Sequence, residues 1–290
     1  SEGASVDAHQ GVEVYGNSLG FIGHTQKSRQ GISCSVIAGS GDSMQRDYWY
    51  SSARRLRDLD TPEHVGDQAA RRTLRRLGAR RVPTCRVPVI YEAPVASSLL
   101  GHFISGGALY RKASFLLDHL DKKIFPEFVR IHEQPLIMGG MGSAAFDGEG
   151  VATSARDIVS DGILRGYVLG SYSARRLELQ TTGNAGGVHN LTIDTGNQNL
   201  EQMISGIDEG FLVTELIGFG INNVTGDYSR GAAGLWIENG EIAYPVEEVT
   251  VAGNLKDIFQ NIAAIGNDVD PRRSTRCGSI LVEGLTIAGD

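Results

Sequence analysis

The stretch GLWIENGEIAYPV, residues 234 to 246, limits the fold more than any other part of the chain. Asn239-Gly240 stands between two runs of aromatic and aliphatic residues, and an Asn-Gly pair accepts the positive φ angles that a two-residue type I′ turn requires. The flanking strands must then be antiparallel and pair with each other. VATSARDIVSDGILRGYVLG, residues 151 to 170, repeats the pattern as two strands around Asp161-Gly162. VEVYGNSLGFIGHTQKSRQGISCSVIA and the following MQRDYWYSSARR alternate around Gly and Asn turns, which predicts a β-meander over about residues 1–55.

Between the strands lie isolated helices. Thr61 as N-cap and Pro62 at the first helical position open one that Gly78 closes, with Val65, Ala69, Leu74 and Leu77 as its apolar stripe and arginines on its wet face. Pro94 opens another. Asn199 caps a third, with Leu200, Met203, Ile204 and Ile207 inward and Gly210 at its end. Asn254 caps a fourth, with Leu255, Ile258, Phe259, Ile262 and Ile265 inward and Gly266 as the stop. Strands and helices do not alternate as βαβ units. The expected fold is therefore α+β: a mainly antiparallel sheet built from hairpins, with several packed helices. A helical segment over about 62–125 precedes a mixed α+β core over about 126–290.

With 290 residues, 41% of them hydrophobic, the chain has enough apolar material for a sizeable core. Its net charge of -7 argues against direct nucleic-acid binding, which depends on clustered cations. The nine arginines between Arg54 and Arg81 read instead as the solvated or partner-facing side of a helix. No apolar run approaches the roughly 18 residues of a membrane span, and Ser1 to Gly11 has no leader-like apolar region, so no membrane association is expected. Cys34, Cys85 and Cys277 are odd in number and far apart, which suits reduced thiols and a cytoplasmic location.

Generic site chemistry finds little purchase. GFGINN (218–223) and GSGDSM (39–44) begin G-x-G but lack the third glycine of a dinucleotide loop. Ser229, in GDYSRG, has Asp227 where a nucleophile elbow needs its first glycine. The histidines, His9, His24, His64, His102, His119, His132 and His189, include no pair three or four apart that one helix face could aim at a single metal ion. Asp118, His119 and Asp121 sit beside Lys122 and Lys123, which reads as a solvated helix end.

One segment stands apart. SSLLGHFISGGALYRK, residues 97–112, predicts a buried helix, because Leu99, Leu100, Phe103, Ile104 and Ala108 surround its axis. Gly101, Gly106 and Gly107 each cost about 0.8–1 kcal/mol of helix stability relative to Ala. A neighbouring element or a ligand close to that backbone would explain them. His102 taken alone reads as a core histidine.

The long motifs GEGVATSARDIVSDGILRGYVLGSYSARRLELQTTGNAGG, TGDYSRGAAGLWIENGEIAYPVEEVTVAGNLKDIFQNIAAIGND and CGSILVEGLTIAGD resemble the TldD/PmbA family of bacterial metallopeptidases, and within it the PmbA (TldE) branch. The resemblance runs the length of the chain. It implies that family members carry a further N-terminal α/β domain, absent here, so that residues 1–290 correspond to the C-terminal domain region. In the TldD branch a helix at the position of LLGHFISGGALYR carries His-Glu-x-x-x-His, and a cysteine near the C-terminus completes a zinc site. Laid against that helix, the two ligand positions fall on Gly101 and Gly106 and the glutamate position on His102. Shifted by one, His102 takes the first ligand position, but Phe103 and Gly107 then replace the glutamate and the second histidine. Cys277 lies in the right region but nearer the final strand than the ligand cysteine.

The resemblance therefore implies a subunit with no catalytic or metal residues of its own and no cofactor, zinc being expected only in a TldD-type partner. The implied partners are a TldD-type subunit in a heterodimer, or a second copy in a homodimer, and the implied substrates are unfolded or linear peptides. Hairpin edges, which must be covered or used, also lead to the expectation of a dimer. Two alternatives stay open: a hydrolase with an unrecognised site, for which His102, Cys277 and Ser229 are the candidates, and a protein-binding regulator of the DNA gyrase modulator type.

Overall fold

The computed structural model describes residues 2–103 and 106–289. In chain order its elements are β1 (Gly3–Gly16), β2 (Ile22–Ala38), β3 (Gln45–Ala53), α1 (Pro62–Leu74), β4 (Cys85–Tyr91), α2 (Ala93–Leu100), α3 (Gly106–Tyr110), β5 (Ile131–Glu133), β6 (Arg156–Ser160) and β7 (Ile163–Leu164). There follow α4 (Ser171–Arg176), β8 (Leu191–Ile193), α5 (Leu200–Ser205), β9 (Glu209–Ile217), β10 (Asp227–Glu238), β11 (Glu241–Asn254), α6 (Leu255–Gln260), β12 (Ile262–Ile265), β13 (Thr275–Arg276) and β14 (Ile280–Ala288). The architecture is α+β, with mostly antiparallel pairing.

Three sheets organise these elements. Strands β1, β2 and β3 form an antiparallel meander, β1 and β2 pairing without interruption from Gly3↔Ser35 to Gly16↔Ile22. Helix α1 lies across β2 and β3, burying Val65, Ala69 and Thr73. Its Thr61 cap accepts from the His64 amide, as its sequence signature predicts. The largest sheet has the order β11-β10-β9-β4-β14-β12, and β11 also pairs with β14. That extra pairing, Thr250↔Ala288 to Ala252↔Thr286, closes five strands into a ring to which β12 is appended. A third sheet, β13-β8-β5-β6-β7, stands beside it. Ile131, Ile158 and Leu191 from the third sheet, and Val89, Tyr91, Phe211 and Val251 from the ring, belong to one core. A smaller cluster on the other face of the ring packs Met203, Ile204 and Ile207 against Ile90, Leu212 and Leu235.

Both turn dipeptides behave as their chemistry dictates. Asp161 and Gly162 have φ of 54 and 72°, and Asn239 and Gly240 have 53 and 80°. Several helix ends differ from expectation. The third helix stops at Ser205 with Gly206 as its cap, while Gly210 lies inside β9, where an added Cβ would stand 3.0 Å from the Pro88 carbonyl oxygen. The fourth stops at Gln260, and Ile262–Ile265 is strand β12, paired with β14. β-branched residues serve a strand at least as well as a helix, and β14 offers an open edge there. Helix α1 ends at Leu74, so Leu74 and Leu77 remain 57% and 36% exposed rather than joining its stripe. The 97–112 segment is not one helix: α2 ends at Leu100, a 3₁₀ turn covers Gly101–Phe103, and α3 begins at Gly106. Ile104 lies outside the described residues, as does the side chain of Phe103.

The arginines of α1 are not all solvated. Arg72 is buried and sits 2.8 Å from Glu92, which precedes α2, and 3.4 Å from Asp47 of β3. Arg75 reaches Glu92 at 3.1 Å, and Arg76 reaches Glu215 of β9 at 2.6 Å. Burial would lower the pKa of Arg72, yet Glu92 and Asp47 together hold it above its ordinary value. The Trp49 ring lies between two guanidinium groups, Arg72 at 5.1 Å and Arg272 at 3.9 Å from its centroid. This network joins the meander to the ring. Arg72→Ala should destabilise the chain by about 3–5 kcal/mol, because it takes the one buried cation from two buried carboxylates and leaves them only the more exposed Arg75 and Arg76, whereas Arg75→Ala should cost under about 1 kcal/mol. Denaturant titrations of the two variants check this.

Candidate functional site

The segment expected to resemble a catalytic helix is set by β4. That strand pairs with β9 and β14 and ends at the buried Tyr91. The Glu92 amide then donates to the Val213 carbonyl, and the Ala93 amide donates to Ser279 Oγ, so the start of α2 is fixed from two sides. Pro94 at the first turn needs no amide partner. Leu99 and Leu100 are buried, and α2 ends on Gly101 in right-handed helical geometry, φ -68 and ψ -20°.

The two glycines at the ligand positions have opposite surroundings. Gly101 is exposed, and a methyl placed on it would meet no atom within 4 Å. At Gly106 the methyl would lie 2.6 Å from the Val168 carbonyl oxygen, 3.0 Å from Leu169 and 3.1 Å from Ser173. The loop responsible is held firmly: the Leu169 amide donates to Thr182 Oγ1 and the Thr182 amide donates back to the Leu169 carbonyl. Backbone approach thus explains Gly106, and no longer side chain fits there unless the loop moves. Gly107 meets only the Arg111 guanidinium, at 3.4 Å.

His102 is half-buried, and burial, helped by the nearby positive charge of Arg230, lowers its pKa. Cys277 is buried between β13 and β14 and donates its thiol to the Gly278 carbonyl. Burial, then Asp268 and Asp270, push its pKa far above that of a free thiol, the reverse of what a thiolate ligand or nucleophile needs. Ser229 lies exposed within β10, paired to Ala252, with neither the turn nor the helix of a nucleophile elbow around it. Among the described residues no hydrogen bond joins any two of these three. Asp118 and Asp121 both adopt φ of 60° in exposed turns rather than at a helix end. Among the described residues no group of three His, Cys, Asp or Glu side chains could hold a metal ion. The residues at the aligned zinc positions therefore do not fit that metal.

A different cluster occupies the neighbourhood. Tyr91, on β4, and Tyr228, on β10, are 0% and 2% exposed, and their hydroxyls face each other with no further partner among the described residues. Arg230 follows Tyr228 by two positions and so projects from the same face of β10; its Nε is buried without a partner. Its charge acts on Tyr91, Tyr228 and His102 alike. Burial raises the pKa of both tyrosines, so both keep their protons near neutral pH. Sequence reasoning passed over them and chose Ser229, the outward residue between two inward ones. Period-2 alternation in DYSRG was the available signal.

Comparison with known proteins places these features. The sequence signature of the PmbA/TldA metallopeptidase central domain matches residues 1–77, and that of the C-terminal domain matches residues 84–289. The chain thus has the scaffold of a metallopeptidase. It belongs to the PmbA/TldD family, as its motifs suggested. It is 49% identical over its whole length to the metalloprotease PmbA of Escherichia coli O157:H7, and 44% identical to a PmbA homolog of Haemophilus influenzae. It spans 65% of the length of each. A crystal structure from Bacteroides thetaiotaomicron, of a protein described by a suggested role as modulator of DNA gyrase, superposes with a TM-score of 0.94 at 33% identity, covering 99% of this chain and 66% of that one.

The two glycines give a paired expectation. Gly106→Ala should destabilise the chain by about 1–3 kcal/mol through overpacking against Val168. Gly101→Ala should be neutral or stabilising by up to roughly 1 kcal/mol. Thermal melts of both variants beside the parent check it, and a raised melting temperature for Gly106→Ala would show that the loop yields.

Proposed function

We propose that this chain is the catalytically silent subunit of a metallopeptidase of the PmbA/TldD kind, acting on unfolded or linear peptides together with a TldD-type partner that supplies the zinc. The observation that carries this reading is Gly106. Its position is closed by the Val168 carbonyl, so the second zinc ligand is excluded by packing as well as by residue identity. The thiol of Cys277, buried and held protonated, supports the same reading.

The meander supports the part played in assembly. Strand β1 is the edge of its sheet, and its outer amides and carbonyls pair with no strand among the described residues. Along one face run Ala4, Val6, Ala8, Gln10, Val12 and Val14, all exposed and all but Gln10 apolar, the three valines at 75, 62 and 71%. Open edges and apolar rows of this length are surfaces that proteins cover with another chain or use to hold an extended one. Backbone pairing at such an edge recognises peptide whatever its sequence, which suits a chamber for unfolded substrates.

The purified chain should carry far less than one zinc and leave peptides uncut, and cleavage should appear on mixing with a TldD-type subunit. Elemental analysis and peptidase assays measure both. About one tightly held zinc per chain, lost in His102→Ala or Cys277→Ala, would refute the silent-subunit reading.

A further inference from the structure

We propose that the cluster of Tyr91, Tyr228, Arg230 and His102 is a carboxylate-binding site, in which Arg230 takes the charge and the two tyrosine hydroxyls donate to the oxygens. This rests on the peptide-handling role above and names the group of the peptide that this subunit holds.

The first ground is the set of unmet hydrogen bonds. Buried polar atoms nearly always have partners, and each exception calls for a reason. Here Arg230 Nε has no partner, and the Tyr91 and Tyr228 hydroxyls near it have none but each other. Tyr228 and Arg230 share one face of β10, and Tyr91 comes to them from β4, which β9 separates from β10 in the sheet. All three are hydrogen-bond donors, and among the described residues no carboxylate forms an ion pair with Arg230. A neighbourhood of donors around an uncompensated cation calls for an anionic acceptor.

Geometry narrows the anion. A guanidinium presents parallel N–H groups that match the two oxygens of a carboxylate. Tyrosine hydroxyls keep their protons here and can only strengthen that match. Asp227 and Ser229 are exposed, on the opposite face of β10 from Tyr228 and Arg230, so the acidic neighbour in sequence does not neutralise the arginine. Access is also present: Arg230 and His102 are only half-buried, and Gly101, adjacent to His102, is exposed.

The test uses fluorescence anisotropy with labelled tri-alanine bearing a free C-terminal carboxylate, the same peptide as its amide, and an amidated peptide with one internal glutamate. The free acid should bind about tenfold or more tightly than the amide, a difference that Arg230→Gln removes. Recovery of binding by the internal glutamate would assign the site to acidic side chains as well as chain ends. Tyr91→Phe with Tyr228→Phe should weaken binding while leaving the melting temperature unchanged or higher, since the two lost hydroxyls have no partner but each other. A clear fall in melting temperature would make the hydroxyls structural and overturn the proposal. Equal binding of acid and amide would also overturn it while leaving the peptide-handling role intact. If no peptide binds but N-acetylalanine raises the melting temperature of the parent and not of Arg230→Gln, the site stands and the peptide role falls. No response to any carboxylate rejects the site.

Discussion

The two halves of this chain are held in register by a buried positive charge. Arg72 leaves α1, passes under Trp49 and meets Glu92 and Asp47, one from each side of the join. An arginine in that position tolerates no rival geometry. Its planar fork needs both carboxylates close, and both carboxylates need it because they are buried. Apolar contacts between the meander and the ring could slide; this contact cannot. Glu92 also begins α2, so the charge that fixes the meander fixes the helix start beside the candidate site. Arg76 with Glu215 and Arg272 with Trp49 add further ties across the same join.

Much of the sheet architecture was legible in sequence because turns are local. Asn239-Gly240 and Asp161-Gly162 pair strands that are neighbours in the chain, and their positive φ angles leave few alternatives. Helix starts at Thr61, Asn199 and Asn254 were equally readable, since an N-cap is a side chain bonding two or three residues away. Helix ends were not. Ile262 and Ile265 stand at a helical spacing, and both are buried in β12 across an irregularity in its pairing with β14, a partner that lies elsewhere in the chain. Arg72 was misread for a similar reason. Nothing within α1 distinguishes it from its solvated neighbours, because the carboxylates that bury it come from β3 and from the end of β4.

The site shows the same division. That Gly101 and Gly106 cannot bind metal is a property of glycine and is visible in sequence. Why one is open and the other closed depends on Val168, which no helical spacing reveals. The charge of Arg230 acts on Tyr91 although β9 stands between their strands, a proximity that no local spacing shows. The family resemblance locates the region, but the buried tyrosines and Arg230 beside it lie on strands that no motif of the zinc helix points to.

The divided edge of β14 has a consequence for the order in which the molecule assembles. One side of that strand is shared between β12 and β11, while the other pairs with β4, so that Tyr91 lies opposite Ile280 and Cys85 opposite Ile287. The meander, by contrast, is built wholly from neighbours in sequence. Loop-closure entropy makes distant pairings late and local ones early. The meander and the β9-β10-β11 hairpins can thus form while the ring is still open, and its closure waits on β14. Until β14 docks, β4 and β11 each present an unsatisfied backbone edge, so the stage before closure is when the chain is most open to mispairing.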